Sequence, residues 1–104
     1  PAPGGAALLD ISDPAVSAPV LLSQSRIEYP PVARAQRISG VVIISALVDE
    51  TGAVIDTRVI RGASPNPGFT QAALKNVKSR KYKPATMNGK PGRAWVAIQI
   101  DFKL

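Results

Sequence analysis

At 104 residues, 45% of them hydrophobic, the chain is long enough for one domain with one modest core. It contains neither Cys nor His, which excludes disulfides, thiolate metal sites and Cys nucleophiles and removes the commonest general base and the commonest nitrogen ligand for zinc. The net charge of +6 is uneven: Arg58, Arg61, Lys75, Lys78, Arg80, Lys81, Lys83, Lys90 and Arg93 share a window between Thr57 and Ile100 that holds no acid, which makes either a surface for acidic partners or a solvated face.

Residues 1–19 scatter Pro1, Pro3, Pro14 and Pro19 among Gly, Ala and Ser. This composition predicts the end of a Pro/Ala-rich linker, mobile or draped over a domain that occupies 20–104, with Leu8, Leu9, Ile11 and the run Val20-Leu21-Leu22 as the residues available to dock on it. Opening on Pro1 and not Met, the chain reads as a fragment or a processed protein. Tyr29-Pro30-Pro31 opens a short helix. Pro31 suits the first helical position, Gly40 is expected to supply a left-handed cap, and Val32, Ala35 and Ile38 are expected to face inward. Residues 41–48 form the first strand. Its two faces, Val42, Ile44, Ala46, Val48 and Val41, Ile43, Ser45, Leu47, are both mainly apolar, whereas an antiparallel sheet usually shows one polar face. The second face is therefore either covered, with the linker as one possible cover, or a contact surface.

Asp49-Glu50-Thr51-Gly52 predicts a hairpin turn with Gly52 at positive φ. The second strand runs over about 54–61, with Thr57 and Val59 on one face and Asp56, Arg58 and Ile60 on the other. Asn66 as N-cap and Pro67 in the first turn open a second helix. Phe69, Ala73 and Val77 recur at four-residue spacing as a buried stripe, and Thr70, Gln71, Lys75 and Lys78 take the wet side. That helix ends before Tyr82-Lys83-Pro84. A Gly89-Lys90-Pro91-Gly92 turn then feeds a last strand, 93–104. Ala94, Val96, Ile98, Ile100, Phe102 and Leu104 are expected to face the core, with Arg93, Trp95, Ala97, Gln99, Asp101 and Lys103 facing away.

A single hairpin cannot bury Phe69, Val77 and the apolar strand rows together. The order helix, strand, strand, helix, strand therefore predicts an α+β fold of αββαβ type. Its three-stranded antiparallel sheet has the order 2-1-3, with both helices on one face. An exposed last strand offers unpaired N–H and C=O groups, to which a peptide can add as a further strand. Trp95 is then either an anchor for that peptide or a side chain packed on the linker or on a neighbouring copy of the domain.

Tyr29-Pro30, Gly40, the apolar alternation up to Asp49-Glu50-Thr51-Gly52, Phe69 with Ala73-Leu74, the Tyr82-x-Pro84-Ala85 corner, Gly89-x-Pro91 and the ending Phe102-x-Leu104 together resemble the TonB C-terminal domain family, over about 26–104. The resemblance implies an energy-transducing protein anchored in the inner membrane of a Gram-negative bacterium. Its C-terminal domain would work in the periplasm, gripping a short extended segment of an outer-membrane protein by β-strand addition on the last strand. An ion-driven inner-membrane motor would act upstream. The partner-binding residues so implied are Arg26, Ile27, Glu28, Tyr29 and Pro30 together with Arg93, Trp95, Val96, Ala97, Ile98 and Gln99. Two positions depart from the family pattern: Arg26-Ile27-Glu28 stands where classical members carry Gln-Pro-x, and Arg80 stands in place of a Trp. Other members of the family serve secretion or motility machines, which is the alternative role.

Three other classes compete with this reading. The basic window allows an anionic-surface or nucleic-acid binder, but only Tyr82 and Trp95 lie among those charges as stacking residues, and no nucleic-acid motif is present. Open edges and the doubly apolar strand allow a homodimer. An enzyme is not expected. Asp49 and Glu50 are adjacent in a turn, Ser64 and Ser79 lack any His, and Ser79 beside Lys78 is the one remaining pair. No cofactor, metal or nucleic-acid partner is expected.

Overall fold

The computed structural model describes residues 7–62 and 68–104. In chain order they form strands β1 (Leu8–Leu9), β2 (Val16–Ser17) and β3 (Val20–Ser23), helix α1 (Pro31–Ala35), strands β4 (Gly40–Val48) and β5 (Val54–Arg61), helix α2 (Phe69–Ser79), and strands β6 (Lys81–Lys83), β7 (Ala85–Met87) and β8 (Lys90–Phe102). The fold is mixed α+β with antiparallel pairing at its centre.

The hairpin β4–β5 forms where the turn chemistry places it. Asp49 accepts hydrogen bonds at Oδ1 from Thr51 N–H at 2.9 Å, Thr51 Oγ1 at 2.6 Å and Ala53 N–H at 3.0 Å. Gly52 takes φ +88°. A Cβ at Gly52 would collide with the Tyr82 carbonyl, while Tyr82 N–H donates to Gly52 O at 2.8 Å. This glycine is thus required twice, by its own dihedral and by the strand that crosses it.

β5, β4 and β8 lie side by side in the expected order, but the sheet does not stop at three strands. It continues as β2-β7-β8-β4-β5, with β1 also on β8, and β3 pairs separately with β6. The extra strands come from two places. β6 and β7 are three-residue strands on either side of Pro84, too short to show periodicity. β1, β2 and β3 come from residues 8–23, and so in part from the segment expected to be a linker end. Leu8-Leu9 run parallel to Arg93-Ala94, and Val16-Ser17 pair with Met87-Thr86.

The core lies on one face of the sheet. Val42, Ile44, Ala46 and Val48 stand opposite Ile100, Ile98, Val96 and Ala94, and Ala33 from α1 and Phe69, Ala73 and Val77 from α2 close over them. Phe69 and Phe102 stack with ring centroids 4.6 Å apart, and Tyr29 meets each of them edge-on at 5.7 and 5.8 Å. Tyr29 hydroxyl donates to the Ile38 carbonyl.

Several local expectations are corrected. In α1 the buried residue is Ala33, while Val32 is 56% exposed, because a helix this short touches the core through a single turn. The left-handed residue after it is Arg37 at φ 54°, not Gly40, which already belongs to β4. The turn before the last strand is Asn88-Gly89, both at positive φ, between the paired residues Met87 and Lys90. That is the two-residue hairpin geometry whose twist matches the strands, so β8 begins at Lys90 and runs through Pro91 and Gly92. It ends at Phe102, and Leu104 is 67% exposed and outside the core. Gly68, at φ 97°, occupies the N-cap position of α2, whereas Ser64 and the expected cap Asn66-Pro67 lie outside the described residues.

Candidate functional site

β8 has two edges with different fates. Over 94–102 one edge is taken by β4. The other is taken by β7 over 90–92 and by β1 over 93–94. Beyond that, no strand among the described residues pairs with the outer edge of Trp95–Phe102. The orientation of its backbone groups follows from one hydrogen bond. Arg93 N–H donates outward to Ala7 O at 2.9 Å. Backbone groups of alternate residues point the same way, so Trp95, Ala97, Gln99 and Asp101 present their N–H and C=O groups to the open edge. Ala94, Val96, Ile98 and Ile100 turn theirs to β4.

The side chains divide by the same alternation, on the two faces of the sheet. Val96 and Ile98 lie on the core face. Ala97 and Gln99 are exposed on the other, where Gln99 Nε2 donates to Asp101 Oδ1 at 3.0 Å. Trp95 stands opposite Leu47 on this second face, and the Arg58 guanidinium reaches across from β5 to lie 4.6 Å from its ring centroid. The apolar second face of β4 is therefore covered in part by its own neighbours, a cation–π pair above all. On the far side of Trp95, residues Leu8 to Ile11 form with it a shallow cavity of about 320 Å³.

Arg26, Ile27, Glu28 and Tyr29 line a broad groove of about 800 Å³ with Pro31, Arg34 and Ala35. Pro30 is half-buried at the N-cap of α1. Glu28 forms an ion pair with Lys75 at 3.1 Å, with both side chains about 70% exposed at 68 and 69%. Such a pair orients more than it stabilises. The structure does not bring the two expected groups into one cluster. Tyr29 meets β8 at Phe102, seven residues beyond Trp95, or about 23 Å along an extended strand.

Three features were not anticipated. Asn76 is buried in α2 and ties down the segment before the groove: its Nδ2 donates to Ser25 O at 2.7 Å and Gln24 Oε1 at 3.1 Å, and its Oδ1 accepts from Arg80 Nε at 3.1 Å. Nothing in the sequence sets this Asn apart from a solvent-facing one. Ser79 Oγ is engaged in the same region, accepting Ser25 N–H at 2.9 Å and lying 2.6 Å from Asn76 O. The third is Gly92; Leu8 and Leu9 do dock on the domain, at a place on β8 that the sequence does not specify. A glycine within a strand signals close approach of another group, and Gly92 was legible in those terms once the strand was known to include it. Among the described residues, no group of three or more His, Cys, Asp or Glu side chains is placed to hold a metal ion, and no helix is long and apolar enough to cross a membrane.

Protein tonB2 of Pseudomonas aeruginosa is 34% identical over 77 residues, which is 74% of this chain and 28% of that protein. Protein TonB of Vibrio cholerae is 32% identical over 90 residues, 86% of this chain and 36% of that protein. The chain thus spans about a third of each relative. The solution NMR structure of the Pseudomonas aeruginosa TonB CTD superposes with a TM-score of 0.68 at 20% identity, covering 91% of this chain and 92% of that one; at that identity the likeness speaks for the fold. The family model described as Gram-negative bacterial TonB protein C-terminal matches residues 25–104, and the chain belongs to that family.

Proposed function

We propose that this domain is a periplasmic, force-transmitting binding module. It engages an extended segment of an outer-membrane protein by strand addition to the outer edge of β8. The rest of the protein, beyond this domain, carries an inner-membrane anchor and meets the motor complex. Residues 1–19 are the end of the linker between them, and 20–104 form the domain. The observation that supports this reading is the outer edge of Trp95–Phe102, which has no paired strand among the described residues. Backbone pairing suits a force-bearing contact. Several N–H and C=O groups act in parallel along a strand, and the demand on the partner's side chains is low. Trp95, held by Arg58, gives the edge one rigid aromatic surface. Nothing in this reading involves catalysis.

The test is amide shift mapping with synthetic peptides from the periplasmic segments of outer-membrane proteins. Shifts are expected at Trp95, Ala97, Gln99 and Asp101, and weaker ones at Arg26–Pro30. Shifts confined to α2 and its lysines, with β8 silent, overturn the reading in favour of an anionic-surface binder.

A further inference from the structure

The outer edge of β8 is already in use at its upstream end. Ala7–Leu9 run along it parallel to β8, Leu8 beside Arg93 and Leu9 beside Ala94, and Arg93 N–H donates to Ala7 O at 2.9 Å. Leu9 is seated above Gly92. A Cβ on that glycine would come within 2.6 Å of Leu9 Cγ and Cδ1 and 2.8 Å of Ala7 O, and its φ is not in the left-handed region. The absent side chain therefore serves the packing of Leu9, not the backbone of β8.

After Leu9 the chain leaves the edge at once. Asp10 Oδ1 accepts from Ser12 N–H at 2.9 Å and Ser12 Oγ at 2.7 Å, and Asp13 N–H donates to Asp10 O at 3.0 Å. This reversal stands beside Trp95 and carries the chain back to pair with β7.

We propose that residues 7–9 are an intramolecular competitor for the partner edge: a strap that holds the register at Arg93–Ala94, with Leu9 over Gly92, and must leave before a partner strand can occupy the full edge. This rests on the strand-addition reading above and adds its regulation. Two features fit a displaceable strap better than a fixed strand. It makes only two residue pairs, and Leu8 is 59% exposed. Neither Leu8 nor Leu9 belongs to the main core cluster, so the domain remains folded when the strap is released. The seat above Gly92 then sets a requirement on the incoming strand, which must place an aliphatic side chain there in the same parallel direction.

The test uses the whole chain, the Leu8→Asp/Leu9→Asp variant, and a Gly92→Ala variant that expels Leu9 from the other side. The probe is a blocked synthetic peptide of residues 7–12, Ala-Leu-Leu-Asp-Ile-Ser, added in trans. Both variants should keep the parental melting temperature and lose exchange protection of the Arg93 amide. The double-Asp variant should bind the peptide with shifts at Arg93–Ala97, and the parent about tenfold more weakly, as expected when the strap is closed in about nine molecules of ten. Gly92→Ala should not bind it, because the seat is filled. Unchanged Arg93 protection in both variants, or equal peptide affinity in parent and double-Asp variant, overturns the strap and leaves the strand-addition reading intact. Fast Arg93 exchange in the double-Asp variant with no peptide binding to its opened edge overturns the strand-addition reading and the strap's role with it.

Discussion

Phe69, Phe102 and Tyr29 are where single residues carry the most. The two Phe rings stack at 4.6 Å and are almost fully buried, so truncation leaves a cavity that the sheet and α2 cannot close. Phe69→Ala and Phe102→Ala should each cost about 3–5 kcal/mol in chemical denaturation; melting within a degree or two of the parent would show that the packing is wrong. Their burial was legible from alternation and helical spacing. The role of Tyr29 as third member of the trio was not, because it depends on where residues 69 and 102 meet. Asp49 is a second test at this scale. Burial pushes its carboxyl up, but the bonds from Thr51 Oγ1 and the Ala53, Thr51 and Gly52 N–H groups outweigh this and hold it below the ordinary value of 3.8. A carboxyl depressed in the folded state adds stability that is complete above its unfolded pKa and lost as pH falls through the folded one. Carbon-detected titration should place Asp49 below 3.8, and Thr51→Val should move it up; an unchanged midpoint in that variant would refute the cause.

Along β8 the alternation of backbone direction separates stability from binding. Proline removes one donor. At Val96 that donor faces β4, so Val96→Pro leaves a buried carbonyl of β4 unpaired, costing roughly 1–3 kcal/mol before any steric strain. At Ala97 the donor faces the open edge, where proline is tolerated. Ala97→Pro should therefore keep its melting temperature within about 2 °C while weakening a partner peptide about tenfold, the loss of one hydrogen bond. Calorimetry on both variants reads this directly, and loss of stability at Ala97 matching that at Val96 contradicts the assigned directions. Elements of eight or more residues were legible in the sequence to within a few residues at each end. The three-residue strands β6 and β7 were not, because so short a run carries no period, and Pro84 between them reads as a loop.

At the scale of the whole molecule the net charge of +6 and the strand edge make opposite claims about salt. Binding by backbone hydrogen bonds to a neutral peptide should change by less than about twofold between 50 and 300 mM NaCl, whereas a surface that neutralises several phosphates loses orders of magnitude. A steep slope in fluorescence titration of Trp95 would favour the anionic-surface reading. The sequence by itself determined the family, the two helices, the β4–β5 hairpin with its Gly52 turn, the order of the three long strands and the last strand as the candidate edge. The helices, the hairpin and the strand order follow from periodicity and turn chemistry, which act over a few neighbouring residues; the family and the candidate edge follow from the resemblance carried by the ordered motifs. Only the tertiary structure decided which backbone groups of β8 face outward, that Arg58 lies on Trp95, that Asn76 anchors residues 24–25, and that Leu8-Leu9 occupy the upstream end of the edge above Gly92. These are contacts between segments far apart in the chain. Their geometry is fixed by register and by where space is left in the packed sheet, and local residue preferences contain neither quantity.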